Sequence, residues 1–163
     1  MKNYLSLILV LLLTACIPLP SSKPAIKPTE IQVKTDLATL KNRINLPQHI
    51  SSAQWIVLPV GIANNNVPGP TDTVLYAVLK SSSNWSSLPQ AKPSSTDQEI
   101  VRVPIPVAQK LFSPNVLKNF TQSDGYVRFT GKLYDSSFFD RSGYSGIYAI
   151  LIGNSLLVCL QST

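Results

Sequence analysis

Two carboxylates, Asp135 and Asp140, bracket Ser136-Ser137-Phe138-Phe139, and a third, Asp72, closes an earlier loop. Glycan hydrolysis can run on a carboxylate pair held ~5 to 10 Å apart, one as acid and the other as base or nucleophile. Aspartates five positions apart in a polar loop are also ordinary turn and cap residues, and that reading is preferred here. His49 stands alone in Leu46-Pro47-Gln48-His49-Ile50, as expected of a loop histidine satisfied by water or a nearby carbonyl. Cys159 lies in Leu156-Leu157-Val158-Cys159-Leu160, an apolar run that raises a thiol pKa and suppresses its reactivity. One histidine and scattered carboxylates make no metal-ligand set, so no metal and no cofactor is expected. Gly143-Tyr144-Ser145-Gly146 lacks the G-x-S-x-G spacing of a nucleophile elbow, and no phosphate-loop or dinucleotide motif is present. Catalysis is therefore not the expected activity. Recognition has more support: Phe138, Phe139, Arg141 and Tyr144 combine aromatics with a guanidinium in one loop, the residue types that binding surfaces favour. Together with Trp85 in a second loop they form a candidate contact patch. The stronger reading is that these rings fold back onto the core as a plug, and exposure decides between the two.

The elements that would hold these groups are short. The chain has 163 residues, 44% of them apolar and 13% charged, enough to bury a core, and thirteen prolines break its apolar runs. Val33, Leu37, Leu40 and Ile44 fall at helical spacing, with Thr35 as a candidate N-cap and Pro47 beyond the far end. Residues 53–62 (AQWIVLPVGI) read as a strand in which Pro59 marks an edge or bulge, and residues 73–80 (TVLYAVLK) read as its hairpin partner across the turn-rich stretch 63–72. Residues 81–98 read as a long polar surface loop around Trp85. A further strand is expected over 99–105, then helix starts at Pro106 and at Ser113-Pro114. Asp124-Gly125 turns into an alternating strand over 126–134. Residues 148–152 and 156–160 flank Gly153-Asn154 as a hairpin of two continuous apolar runs, expected to be central. About six strands with two or three short helices predict an α+β fold on a mainly antiparallel sheet, with a small β-sandwich as the alternative.

The N-terminus carries a different message. Lys2, the apolar run Leu5 to Leu13 and the small residues Thr14 and Ala15 lead into Cys16, the order of an export signal. The run is about half the ~20 residues a membrane-spanning helix needs. Leu13-Thr14-Ala15-Cys16 resembles the lipobox of bacterial lipoprotein precursors. That resemblance implies cleavage before Cys16, a diacylglycerol on its thiol and acylation (palmitate) of its new amine. Ile17, in place of the aspartate linked to inner-membrane retention, implies the outer membrane. Residues 1–15 are then a signal peptide, 16–30 the lipidated cysteine with a proline-rich tether, and 31–163 one globular domain. Fourteen extended residues at ~3.1 Å each give the tether a reach of roughly 40 Å.

Loss of Lys2 with the leader leaves 13 basic against 8 acidic residues, a charge of about +5 that favours anionic envelope partners. The dispersed lysines and the lack of a basic-aromatic strand motif exclude nucleic acid as the expected partner. The resulting expectation is a lipid-anchored outer-membrane lipoprotein whose non-enzymatic periplasmic domain binds an envelope protein or anionic envelope polymer, as an accessory of an assembly such as a secretion system. The alternatives are a periplasmic inhibitor or immunity protein against a toxin or hydrolase, and a cell-wall enzyme using Asp135 or Asp140.

Overall fold

A computed structural model describes residues 30–60, 72–86, 88–89 and 100–162. Cys16, the lipobox residues Leu13, Thr14 and Ala15, nearly all of the tether and the turn at 63–71 lie outside the described residues. The fold is α+β, with antiparallel strands dominating, as the patterning predicts.

Five strands form the main sheet in the order β1 (Ile50–Pro59), β2 (Thr73–Ser81), β8 (Ser155–Ser162), β7 (Tyr144–Ile152) and β6 (Lys132–Tyr134). A smaller sheet has the order β3 (Ile100–Pro104), β5 (Tyr126–Thr130) and β4 (Thr121–Ser123). The two expected hairpins are present. β1 pairs with β2 from Pro59↔Thr73 to Ile50↔Ser81, and β7 pairs with β8 around Gly153, whose φ of 58° is a conformation that glycine adopts without cost. Pro59 ends the edge strand β1, where its missing N–H breaks no ladder, and the strand's irregularity falls instead between Ile50 and Ser52.

The central strand β8 explains why its sequence reads as an unbroken apolar run: it is covered on both faces. Leu156, Val158 and Leu160 point into one cluster with Leu75, Ala77, Trp55 and the helix residues Leu40 and Ile44. Leu157 points into the other, with Ile56, Ile150 and the inner face of the small sheet, Val101, Val103, Val127 and Phe129. Helices α2 (Ile105–Leu111) and α3 (Pro114–Leu117) close this second cluster through Val107, Ala108, Leu111 and Leu117. Both start with proline in the first turn, as expected.

Four details differ from the sequence expectation. Helix α1 (Leu37–Arg43) is capped by Asp36, not Thr35, because the Asp36 carboxylate accepts from the Ala38 and Thr39 amides at 3.0 and 3.2 Å. Val33 stays outside the helix, since neighbouring Lys34 is extended and bridges Trp55 through two backbone hydrogen bonds of 2.8 and 2.9 Å. The alternating run 126–134 is two strands, β5 and β6, that belong to different sheets. Their junction is Gly131, where a Cβ would stand 2.2 Å from the Leu151 carbonyl oxygen, so only glycine lets the chain pass from one sheet to the other. Finally, β4 is a short polar strand paired with β5 through the Asp124-Gly125 turn, in which both residues have positive φ (54° and 80°).

Candidate functional site

The loop that joins β6 to β7 holds most of the residues singled out for recognition. Asp135 caps a 3-10 turn, Ser136–Phe139, by accepting from the Ser137 amide (3.0 Å) and hydroxyl (2.7 Å). Those hydrogen bonds, the Ser137 hydroxyl foremost, hold its carboxyl below the ordinary aspartate value, the wrong direction for a general acid. Asp140 Oδ1 accepts from the Gly146 amide at 2.6 Å. Both carboxylates are thus backbone ties of a turn, as preferred from the sequence.

The aromatic members of the loop turn inward. Phe139 is fully buried, Tyr144 is 8% exposed, and Phe138 packs edge-on against Phe139 with centroids 5.2 Å apart. The Tyr144 hydroxyl lies 3.2 Å from Arg43 Nη1, which donates to it, and 3.0 Å from Thr73 Oγ1. Arg141 is exposed, yet its Nη1 donates to the Lys41 carbonyl at 2.8 Å, satisfying an acceptor in the last turn of α1. Gly146 permits the tight fit, since a Cβ there would meet the Ser136 carbonyl oxygen at 2.2 Å. Trp85 is also buried, 7% exposed, with its Nε1 donating to the Asn154 carbonyl at 3.3 Å. Trp85, Phe139 and Tyr144 share one core cluster. The candidate contact patch is therefore corrected to a core plug: apolar area is better satisfied against Leu156, Val158 and Leu160 than in water. Beside Trp85 an open cleft of about 480 Å³ is lined by Ser83, Asn84, Lys132, Tyr134 and Asn154. The Lys132 ammonium sits 5.5 Å from the Tyr134 ring centroid.

The one remaining thiol is also committed to structure. Cys159 is 2% exposed and stands in cross-strand register between Tyr76 and Tyr148. Burial pushes its thiol up to about 12, against a smaller opposing effect of hydrogen bonds with the two tyrosines, and burial likewise raises both phenols. The His49 carbonyl accepts from the Ser82 amide (3.0 Å) and the Ser81 hydroxyl (3.0 Å), which pins the entry to β1. Among the described residues, no group of three or more histidine, cysteine, aspartate or glutamate side chains is arranged to hold a metal ion.

Exposed polar chemistry gathers away from these loops, on the outward face of the small sheet. Along β3 and β5 the inward residues Val101, Val103, Val127 and Phe129 alternate with outward Ile100, Arg102, Tyr126, Arg128 and Thr130. The register sets Arg102 directly opposite Arg128, with Thr121 of β4 on the other side of Arg128. Ser123 of β4 faces Tyr126 in the next row. Ile100 and Tyr126, 55% and 41% exposed, stand at opposite ends of the arginine row. Arg128 Nη2 donates to Asp124 Oδ2 at 3.4 Å, a long contact to a side chain 79% exposed. Arg128 Nε and Ser123 Oγ are buried donors without a hydrogen-bond partner. The alternating phase of residues 100–104 and 126–130 carries this information, but only the β3–β5 register makes neighbours of two arginines 26 positions apart.

This chain matches no family model, no curated protein and no solved structure.

Proposed function

We propose that this chain is an outer-membrane lipoprotein, anchored through acylated Cys16, whose periplasmic domain binds an envelope partner without catalysing a reaction and serves as an accessory of a cell-envelope assembly such as a secretion system. The observation that carries the binding half of the reading is the contrast between committed and free groups. Asp135, Asp140 and Arg141 are spent on backbone groups and Cys159 is buried, whereas Arg102, Tyr126 and Ile100 face solvent on one sheet surface. Arginine and tyrosine on a shared surface suit recognition, and a guanidinium favours an anionic partner. The anchoring half is supported by the Leu13-Thr14-Ala15-Cys16 pattern behind a short apolar run. No helix among the described residues is long and apolar enough to cross a membrane.

Mass spectrometry of the mature N-terminal peptide, combined with membrane fractionation, tests the anchor. The expected product begins at Cys16, carries thioether-linked diacylglycerol and an amide-linked acyl chain, and fractionates with the outer membrane; Cys16→Ser abolishes all three. An unmodified Cys16 in a soluble product overturns the reading. Crosslinking in intact cells tests the partner: recovery of a defined envelope component by the wild-type chain, and its loss on substitution of Arg102 and Arg128, is the expected result.

A further inference from the structure

We infer that the outward face of β3–β5–β4 is a binding site for a phosphoryl oxyanion, with Arg102 and Arg128 as its paired cationic ligands. This deepens the binding-domain reading by naming the chemistry of what is bound.

Two like charges directly opposite each other on an antiparallel pair destabilise a sheet. The small sheet nevertheless sets Arg102 against Arg128 at its centre. Their one countercharge among the described residues is Asp124, which reaches Arg128 only at 3.4 Å from a solvent-exposed position where screening is strong. Arg102 has no ion pair among the described residues. A bound dianion removes that repulsion and replaces it with charge-assisted hydrogen bonds, for which the guanidinium fork is suited in geometry as well as charge.

The neighbouring groups distinguish phosphoryl from carboxylate. On the same face of the sheet, Thr121 stands beside Arg128 in the arginine row, with Ser123 and Tyr126 one row to one side and Thr130 one row to the other. A carboxylate brings two oxygens and a single charge to such a pair, whereas a phosphate monoester brings a larger negative charge and three free oxygens, enough to accept from both arginines and from a flanking hydroxyl such as that of Thr121. Arg128 Nε and, in the next row, Ser123 Oγ are buried without a hydrogen-bond partner, an uncommon state that leaves polar capacity of this sheet unspent. A phosphoryl group reaching this face can come from a soluble phosphate ester or from a lipid headgroup, and exposed Ile100 and Tyr126 on either side suit the second source.

The test uses the full chain as it is purified, whether or not Cys16 is acylated, together with phosphatidylcholine nanodiscs, and reads the arginine Nε–Hε NMR signals while inorganic phosphate replaces chloride at constant ionic strength. Saturable shifts are expected at Arg102 and Arg128 and not at Arg43 or Arg141. Arg102→Gln, a change on an exposed edge-strand position, is expected to weaken phosphate binding about tenfold or more while the inner-face signals of Val103 and Phe129 stay in place. In a second arm phosphatidic acid replaces part of the phosphatidylcholine. Shifts of the same two signals before any phosphate is added assign the source to headgroups, and shifts only with added phosphate assign it to soluble esters. Absence of a saturable shift in both arms, or an undiminished response in the folded Arg102→Gln chain, overturns the inference. Because the soluble-phosphate arm reads the arginine pair whatever Cys16 carries, this result and the lipidation result fail independently.

Discussion

Replacing Phe139 by alanine separates the plug from the contact patch by magnitude alone. The side chain is fully buried, packs edge-on against Phe138 and belongs to the cluster that contains Leu156, Val158 and Leu160 of the central strand. Withdrawing a buried phenylalanine ring from apolar surroundings costs about 1.5 to 3 kcal/mol in transfer free energy. The unfilled space and the lost ring pair add to that, and the sum falls in the range of about 3 to 5 kcal/mol measured for such truncations. The 3-10 turn that carries the residue is tied on both sides, by Asp135 to Ser137 and by Asn45 to the carbonyls of Phe139 and Asp140, so the site has little freedom to collapse. Urea unfolding followed by far-UV circular dichroism provides the assay. With a slope of about 2 kcal/mol per molar, the midpoint falls by roughly 1.5 to 2.5 M with an unchanged slope. A loss below about 1 kcal/mol is what an exposed contact residue gives, and it would refute the assignment of this loop to the core.

Arg141→Ala, which removes one exposed donor to the Lys41 carbonyl, is expected to cost only about 1 kcal/mol in the same assay, well short of the Phe139 effect. Gly131→Ala places a methyl against the Leu151 carbonyl and is expected to destabilise by about 1 to 3 kcal/mol or more, read as a lowered melting temperature. Native Cys159 is expected to resist iodoacetamide at pH 8 and to react fully in denaturant, followed by mass spectrometry; rapid native labelling would contradict its burial. The same thiol has a sign for alkaline stability. Its folded pKa is raised from 9.0 to about 12, so its contribution is intact below pH 9 and is lost as pH climbs toward 12, with Tyr76 and Tyr148 acting in the same direction. Cys159→Ala should therefore flatten the alkaline limb of the melting-temperature profile.

The parts of this fold that were legible in the sequence are those whose signal is local. Asp124-Gly125 and Gly153-Asn154 mark their turns because positive φ is a property of one or two residues, and the β8 run is apolar throughout because both its neighbours in depth are apolar layers. Where the deciding contact is distant, the signal vanishes. Alternation runs through residues 126–134 without a break, and nothing before or after Gly131 shows that the Leu151 carbonyl occupies the space of a side chain there. Thr121–Ser123 has no apolar phase, so β4 exists by virtue of its pairing with β5. Thr35 and Asp36 are both competent caps, and the choice falls to Asp36 because Lys34, the residue before Thr35, is held extended by Trp55 on β1.

The inward turn of Trp85, Phe139 and Tyr144 was hard to read for a related reason. Aromatic residues in a loop carry the same composition whether they face a partner or their own core, and the difference lies in what the loop can cover. The face of the main sheet formed by Leu75, Ala77, Leu156, Val158 and Leu160 is covered by Leu40 and Ile44 of the first helical segment together with Trp85, Leu88, Phe139 and Tyr144, which join its cluster. A chain with this much apolar sheet and so short a first helix must draw its aromatics inward. The same demand leaves the small sheet free to expose its polar face, since its inner residues and α2 already close the opposite side. Arginines meeting there across β3 and β5 are not needed to hold those strands together and work against their pairing. That conflict between local stability and placement is what marks the pair for a ligand, and a melting temperature that rises on Arg102→Thr in chloride, but loses its further rise with phosphate, is its signature.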